Sequence, residues 1–517
     1  MLNYTACNLV SWRLCMSVST SNAAENYDSA AVITKRAIEE ILAFTKVPRP
    51  THYVDKVVEY LKAFADKHSF EFHRDTYGNV WMDVPATAGC EDYPKIILQG
   101  HTDMVCVSTD DLDIDFKTTG ITPIVTEKTI TADRTSLGAD DSAGLGAMMA
   151  IAVSKCKHGP LRLLFTADEE DSLDGAIALD PAALDCDLLI NLDSEKIGSV
   201  MCSSAGFLDY IASKTYTPQP VHPIEVSYEI SVWNLKGGHS GDDIDKKRIN
   251  AIEFLNRAFK RMYNRKIDMP IRFSAISAGT AHNVIASTAK IRFELKAPCL
   301  TYPTEDEAYR AVQETIRRYV EAYPDERIKW SFKHLDYEPD RMSLSVEDTK
   351  EIIDYVDEHF QGVKSMHPTI EGLPQTSHNL GVETLENGHF TFVNRYRSCS
   401  AEDLAQARQE SESRAAKAGM KYTVKSSAPP WDGSPDDAIV QLAVKAFKEA
   451  TEVPTKINAS HGAVECANFM DKRPSLKIVS LGPDIRDFHS VHETLYLDSM
   501  EPLIKCLLYM LEHLNEL

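Results

Sequence analysis

The sequence predicts an α/β fold in which a mostly parallel β-sheet is flanked by helices and interrupted by an inserted α+β domain. Up to about Ser204, apolar strand-like runs alternate with helical patterns, which is typical of a parallel sheet covered by helices. From about Phe207, longer stretches of alternating polar and apolar residues follow. The earlier pattern returns after the segment SSAPPWDGSPDD, whose Pro, Ser and Asp residues indicate a linker.

The length of the chain also favours two domains. Its 517 residues exceed the roughly 250 to 300 residues at which a single hydrophobic core usually stops growing. The predicted division is a tail at 1–29, a first domain built from 30–206 and 428–517, and an inserted domain at 207–427.

The elements of the first domain can be placed in order along the chain. Apolar residues recur three and four apart between Ala31 and Lys67, which predicts two amphipathic helices separated at Pro48 and Pro50. Three apolar strands, IILQGH, LRLLFTA and LLINL, alternate with helical segments such as the one that begins near Ser142. The C-terminal part contributes the helix AIVQLAVKAFKEA, the strand LKIVSLG and a last helix near residues 500–516.

The inserted domain combines strands and helices. The runs VSYEISVW and AKIRFELKA alternate as half-buried strands do. Helical patterns cover four segments, near Arg248–Met262, Asp306–Ala322, Val346–Phe360 and Ala401–Ala418. The order of these elements predicts two α+β units in series, although no residue-level repeat relates them.

Charge and composition exclude several classes of partner. The 55 basic and 77 acidic residues give a formal net charge of -22, a field that repels nucleic-acid phosphates and anionic membranes. No run approaches the roughly 20 apolar residues needed to span a bilayer. The 11 cysteines are scattered without a CxxC pair, which favours reduced thiols in the cytoplasm over a disulfide framework.

Acidic and imidazole side chains recur where the predicted strands end or a helix begins. In an open α/β sheet such positions converge on one rim, where ligands bind. Carboxylate and imidazole groups are the ligands of a two-zinc hydrolytic centre. The residues concerned are His101 with Asp103, Asp140, Glu169 with Glu170, Asp193 and His489.

Taken singly, each of these residues also has a plain structural interpretation. His101 and Asp103 would end a strand and cap a turn, and Asp140 would be an ordinary helix N-cap. Glu169 and Glu170 would belong to a solvated acidic loop, and Asp193 to a turn. Local spacing does not choose His489 over His461 or His492.

A bridge between two cations requires one carboxylate with two available oxygens, and Asp140 is our candidate. Asp141 is a weaker candidate because its side chain projects elsewhere.

Longer motifs resemble those of the M20 metallopeptidases and, among them, the cytosolic aminoacyl-histidine dipeptidase group. The matching stretches occur in family order from about Ala30 to the C-terminus: LQGHTDMV, SLGADDSAGLG, TADEEDSLDGA, INLDSE, LKGGHSGDDI, AGTAHNVI, SHGAVECA and SLGPDIRDFHS. The resemblance implies a zinc-peptidase-like sheet with an inserted lid domain. One departure is the closing loop, DFHSVHE where many relatives have GPHSPDE, so the loop shape and the place of Glu493 stay open.

The resemblance also implies a ligand set for two Zn²⁺ ions, with Mn²⁺ or Co²⁺ as substitutes. His101, Asp140 and Asp193 would hold one ion. Asp140, Glu170 and His489 would hold the other.

Further roles follow from the same resemblance. Asp103 would support His101, and Glu169 would act as the general base. His239, Asn283 and Arg397 of the lid would reach the substrate.

The function implied is zinc-dependent hydrolysis of dipeptides, of the Xaa-His (carnosine-like) type with broad specificity. The partner would be a small dipeptide, with no nucleic acid and no membrane, and association of two chains through the lid domain stays open. One alternative is a related amidohydrolase that acts on other dipeptides or N-acyl amino acids. Another is a metal-binding scaffold without catalytic activity.

Overall fold

The computed structural model describes residues 27–241, 243–264, 270–296, 304–323 and 326–517. Most of the predicted tail, residues 1–26, lies outside the described residues. The strands are β1 (Glu71–Arg74), β2 (Val80–Val84), β3 (Ile96–His101), β4 (Pro123–Val125), β5 (Thr129–Ala132), β6 (Leu161–Thr166), β7 (Leu188–Asn191), β8 (Ser199–Ser204), β9 (Gly206–Thr215), β10 (Gln219–Pro220), β11 (Glu225–Trp233), β12 (Ile271–Gly279), β13 (Ala289–Lys296), β14 (Lys329–Leu335), β15 (Met342–Ser343), β16 (Gly362–Met366), β17 (Pro374–Glu386), β18 (His389–Ser398), β19 (Lys421–Ala428), β20 (Lys456–Ser460), β21 (Lys477–Ser480), β22 (Ile485–Arg486) and β23 (Thr494–Tyr496).

The longer α-helices lie close to the predicted positions, whereas three short ones were not predicted. They are α1 (Ala30–Phe44), α2 (Asp55–His68), α3 (Ala139–Ala152), α4 (Glu169–Ser172), α5 (Asp174–Ala178), α6 (Ala251–Asn264), α7 (Thr304–Ala322), α8 (Val346–Asp357), α9 (Ala401–Lys417), α10 (Ala438–Ala450), α11 (Glu465–Lys472) and α12 (Met500–Glu512). Long amphipathic helices are predicted well because each buries one apolar stripe.

The first sheet has eight strands in the order β1-β2-β6-β3-β7-β21-β8-β20. Its centre is parallel, because β3 pairs in parallel with β6 and β7, and β7 pairs in parallel with β21. Every residue of β3 and β6 is buried, as expected for strands covered by helices on both faces. The strands β1 and β2 run antiparallel at one edge, so the predicted mostly parallel α/β sheet is confirmed with an antiparallel edge.

Parallel pairing brings the carboxyl ends of the four central strands to one rim. His101 ends β3, the acidic segment that includes Glu169 follows β6, and Asp193 lies two residues beyond β7. The strand β21 leads to the hairpin of β22 and β23, whose loop carries His489. Four chain segments that carry predicted ligands therefore meet at the same rim of the first sheet.

Within the described residues between Gly206 and Ala428, the second sheet contains nine strands, along the path β14-β11-β13-β12-β17-β18-β9-β19, with β16 paired to β17. The prediction of two α+β units in series was wrong. The strand β9 opens this part of the chain, yet it lies between β18 and β19 from its end. Pairing of β12 with β17 then joins all the strands into one sheet.

The predicted linker is partly ordered into the fold. Its first residues complete β19, and Trp431 is fully buried and pairs with Ser204 through backbone hydrogen bonds. Along the described parts of the chain, the structure contains no helix with the length and apolar character needed to cross a bilayer.

Candidate metal centre

The first group of potential ligands is almost completely buried. The His101 Nε2 atom lies 2.9 Å from Asp140 Oδ1 and 3.4 Å from Asp193 Oδ1. The exposed fractions of the three side chains are 1%, 8% and 12%. His101 is fixed by β3 and Asp193 by the end of β7, so two neighbouring strands set this geometry.

The second group shares Asp140 and is more open to solvent. The His489 Nε2 atom lies 3.2 Å from Asp140 Oδ2 and 2.8 Å from Glu170 Oε2. The side chain of His489 is 44% exposed. Asp140 thus directs one oxygen to each group, which is the arrangement that a bridging carboxylate needs.

The backbone around Asp140 shows which of the two adjacent aspartates caps α3. Asp140 and Asp141 have non-helical dihedral angles, and the peptide bond between them is cis. Asp141 Oδ1 accepts a hydrogen bond from the Gly144 N–H at 3.0 Å, so Asp141 caps the regular part of α3. The N-cap interpretation therefore applies to Asp141, while Asp140 faces the two groups of ligands.

Asp103 connects the first group to the acidic segment after β6. Its Oδ1 lies 3.4 Å from His101 Nδ1 and accepts a hydrogen bond from the Glu169 N–H at 3.0 Å. Its Oδ2 accepts hydrogen bonds from the Thr51 hydroxyl and the Glu170 N–H. A carboxylate in this place orients the His101 ring and holds the backbone of Glu169 and Glu170.

The electrostatics of the site fit a pair of cations. The two groups combine three carboxylates with two imidazoles in a largely buried place. Burial raises the pKa of Asp193 well above its usual range, and the nearby Asp140 carboxylate adds to the rise. Burial would also raise the pKa of Asp140, but hydrogen bonds with His101 and His489 lower it. Oxygen and imidazole donors suit Zn²⁺, Mn²⁺ or Co²⁺, and a cation would offset the buried negative charge.

Glu169 lies beside these groups without belonging to either of them. Burial raises the pKa of its carboxyl well above the usual range, and the adjacent Glu170 adds to the rise. Adjacent residues on α4 direct their side chains differently, so Glu170 can hold a metal while Glu169 serves another purpose.

The three predicted lid residues lie close together on the second sheet and its loops. Arg397 Nη2 is 3.4 Å from His239 Nε2, and the Asn283 carbonyl accepts a hydrogen bond from the N–H of Ser240, the residue after His239. Arg397 Nη1 also lies 3.4 Å from the carbonyl oxygen of His461, which belongs to the loop after β20. We call His239, Ser240, Arg397 and His461 the arginine cluster.

Sequence reasoning missed several residues that shape the centre. The buried Arg49 guanidinium donates hydrogen bonds to the carbonyl oxygens of Thr102, Asp103 and Gly138. Gly138 has a φ of 70°, and an added Cβ would collide with Arg49. No local pattern marks Arg49, because its partners lie more than 50 positions away in sequence.

His461 was predicted only as an alternative to His489, and Glu465 was not predicted. His461 Nε2 lies 2.7 Å from the Ser377 hydroxyl of the second sheet. The Glu465 carboxylate accepts hydrogen bonds from Gln99 and Thr166 beneath the rim. The motif SHGAVECA that carries both residues was the available signal.

Comparison with protein families matches residues 97–513 to peptidase family M20/M25/M40. This chain belongs to that family. The resemblance inferred from the motifs is therefore confirmed, and the protein is an enzyme of the metallopeptidase class.

Individual relatives agree with this assignment. The cytosol non-specific dipeptidase of Escherichia coli is 28% identical over 458 residues, which cover 88% of this chain and 92% of that protein. The crystal structure of an aminoacylhistidine dipeptidase from Vibrio alginolyticus superposes with a TM-score of 0.85 at 28% identity, covering 92% of this chain and 96% of that one. A tripeptidase from Staphylococcus aureus, at 16% identity and a TM-score of 0.51 over 94% of this chain and 99% of its own, shares the fold. The two dipeptidases support the predicted hydrolysis of dipeptides.

Proposed function

We propose that this protein is a two-metal dipeptidase that cleaves Xaa-His dipeptides with broad specificity. The observation that carries the proposal is the position of Asp140, whose two oxygens each face a separate group of ligands. Both related dipeptidases cover most of the chain and support the same class of substrate.

The proposed ligand sets are His101, Asp140 and Asp193 for one ion, and Asp140, Glu170 and His489 for the other. Zn²⁺ is our choice of metal, with Mn²⁺ or Co²⁺ as substitutes, because the donors are imidazoles and carboxylates without cysteine. Two ions held there would polarise the peptide carbonyl and lower the pKa of water from ~15.7 toward ~7.

We assign the proton transfers to Glu169. Its carboxylate takes a proton from the attacking water and delivers the proton to the leaving amine, which is general base and then general acid catalysis. Asp103 holds the backbone of Glu169 at one end and the His101 ring at the other. Asp103 therefore fixes the position of Glu169 relative to the ligand His101.

The arginine cluster is the proposed site for the C-terminal carboxylate of the dipeptide. Arg397 is buried, and the Ser240 hydroxyl, the His461 carbonyl oxygen and His239 Nε2 each lie 3.4 Å from one of its guanidinium nitrogens. A guanidinium recognises a carboxylate through two parallel hydrogen bonds, which measure substrate length as well as charge. The neighbouring Arg395 pairs with Asp209 at 2.6 and 2.5 Å and serves as a comparison for Arg397.

His239 and Asn283 complete the proposed substrate site. The His239 imidazole would donate a hydrogen bond to the oxygen that gains negative charge, an effect worth about 3 to 4 kcal/mol for a well-aimed donor. The Asn283 amide would bind a polar group of the dipeptide.

We further propose the division of the chain into a catalytic domain, 30–206 with 428–517, and a lid domain, 207–427. The direct contact between His461 and Ser377 supports a site assembled from both parts. We also propose that the enzyme works in the cytoplasm, like its relative from Escherichia coli, and that any homodimer forms through the lid.

A substrate panel tests the proposed function. Metal-loaded protein should hydrolyse Xaa-His dipeptides fastest, Xaa-Leu dipeptides more slowly, and tripeptides and N-acetyl amino acids poorly. Preference for N-acetyl amino acids would instead indicate the amidohydrolase alternative.

Glu169→Gln is the matched variant for the mechanism. We expect kcat to fall about 100- to 10,000-fold because the proton carrier is lost, while both ions stay bound. Wild-type turnover of a carnosine-like dipeptide by this variant would overturn the assignment of Glu169.

A further inference from the structure

The loop that carries His489 is a hairpin whose conformation is not favoured by its own residues. It runs from β22 to β23, which pair antiparallel through Ile485 with Leu495 and Arg486 with Thr494. Asp487 and His489 have φ values of 52° and 60°, in the left-handed region that is unfavourable for residues other than glycine. The His489 ring is also 44% exposed, so its burial contributes little to holding this conformation.

Glu493, the last residue before β23, anchors the loop to another segment. Its Oε2 accepts hydrogen bonds from the N–H groups of Leu137 and Gly138 at 2.7 and 2.8 Å. Its Oε1 accepts hydrogen bonds from the N–H groups of Ala139 and Asp140 at 2.7 and 3.2 Å. Glu493 is only 3% exposed, so these four bonds form away from solvent.

The four N–H groups lie on residues 137–140, just before the regular part of α3 that Asp141 caps. Gly138 has no side chain that could accept these hydrogen bonds, so a carboxylate more than 350 positions later in sequence accepts them. The same contact joins the segment that presents Asp140 to the loop that presents His489.

The contact requires a carboxylate of this length. Each of its oxygens accepts two N–H groups, whereas a glutamine has one accepting oxygen and would place its NH₂ against two donors. An aspartate keeps the charge but is one methylene shorter, so it would not reach all four donors from the same backbone.

We propose that Glu493 is a positioning residue for the second metal group: by crosslinking the Asp140 segment to the His489 loop, it sets the affinity of the Asp140–Glu170–His489 group without touching metal or substrate. This inference rests on the proposed two-metal function. The first group depends less on Glu493 because His101 and Asp193 are held by β3 and β7.

A residue that only stabilised α3 would affect stability and metal affinity differently. If Glu493 only stabilised α3, its loss would lower the stability of the metal-free protein and leave the two metal affinities in their wild-type ratio. If Glu493 positions the ligands, its loss weakens one ion selectively, and excess metal restores activity.

The test compares wild type, Glu493→Gln and the control Glu294→Gln, a buried glutamate of the second sheet. Metal content per chain and the two dissociation constants are measured by chelator competition, together with urea unfolding of the metal-free proteins. Wild type and the control should bind two ions. The Glu493→Gln protein should bind one ion normally and the other about 10- to 100-fold more weakly, as is usual when a partner of metal ligands is lost.

Kinetics give a second readout. At limiting metal, kcat of Glu493→Gln should fall while KM for the dipeptide stays near the wild-type value, and added metal should restore kcat. If Glu493→Gln does not fold, Glu493→Asp carries the same test with the same expected selective loss.

Two results would overturn the inference: wild-type affinity for both ions in the Glu493 variant, or an equal weakening of both. A wild-type protein that binds fewer than two ions would instead refute the proposed function, so the two failures can be told apart.

Discussion

The metal-ligand groups and the arginine cluster have opposite charge and different origins. The ligand groups bring three carboxylates to the rim of the first sheet, whereas the cluster places the buried Arg397 guanidinium beside His239 and Ser240 on the second sheet. In the proposed function, the first region binds two cations and the second binds the carboxylate of the dipeptide.

The comparison also shows how the two regions depend on the fold. The ligand groups come mainly from the ends of neighbouring parallel strands, so they are fixed by sheet pairing. In the arginine cluster, His461 links the loop after β20 to the second sheet through its contacts with Arg397 and with Ser377. Changes in the first region should therefore affect metal binding and kcat, and changes in the second should affect KM.

The largest effect is expected for Asp140→Ala, which removes the side chain common to both groups. Both ions should be lost, and activity should fall more than about 1,000-fold, since several kcal/mol of transition-state stabilisation disappear. Metal analysis and dipeptide hydrolysis provide the measurement. Asp141→Asn is the control and should retain both ions, because its Oδ1 still accepts the Gly144 N–H.

His489→Ala should separate the two metal groups from each other. We expect one ion to remain bound by His101, Asp140 and Asp193, and kcat to fall about 100-fold or more as the second Lewis acid is lost. The exposed His492 of the same loop offers a matched control, and His492→Ala should keep two ions. Loss of an ion in the His492 variant would count against the choice of His489.

Arg397→Lys addresses the second region. Lysine keeps the charge but loses the two-pronged hydrogen bonding, so KM for dipeptides should rise about 10- to 100-fold with metal content unchanged. Steady-state kinetics with a free and an amidated dipeptide measure the effect, which should vanish for the amide. Arg395→Lys should lower stability through its ion pair with Asp209 and leave KM unchanged.

The smallest effect concerns the stability of the metal-free protein. Hydrogen bonds with Asp140 and Glu170 raise the pKa of His489 from 6.5 to about 10. The protonated ring therefore stabilises the folded state fully below pH 6.5, and this contribution is lost as pH rises toward about 10. Since His489 is 44% exposed, the change should stay below about 1 kcal/mol.

Urea unfolding of metal-free wild type and His489→Gln across this pH range measures the difference. The stability advantage of the wild type should shrink with rising pH. An advantage that grows with pH would contradict the assigned contacts of His489.

The sequence predicted the parts of the molecule that depend on local pattern. Helices such as α10 at Ala438–Ala450 matched their predicted spans, because one apolar stripe identifies each of them. The strand ends that carry His101, Glu169 and Asp193 were also predicted, since apolar runs followed by acidic residues are visible in sequence.

Contacts between segments that are distant in sequence could not be predicted from local patterns. The insertion of β9 between β18 and β19 depends on pairing across nearly 200 residues, which no local pattern encodes. Arg49 and Glu493 act through backbone groups of distant segments, so their sequence neighbours do not mark them. Asp141, not Asp140, caps α3, and this depends on backbone angles that the sequence of two adjacent aspartates does not specify.

The proposed function depends on Asp140 bridging two metal ions. Anomalous diffraction from crystals of the zinc-loaded protein would locate these ions. We predict two peaks, one beside Asp140 Oδ1, His101 and Asp193, and the other beside Asp140 Oδ2, Glu170 and His489. A single peak in catalytically active crystals, or two peaks that do not share Asp140, would contradict the account.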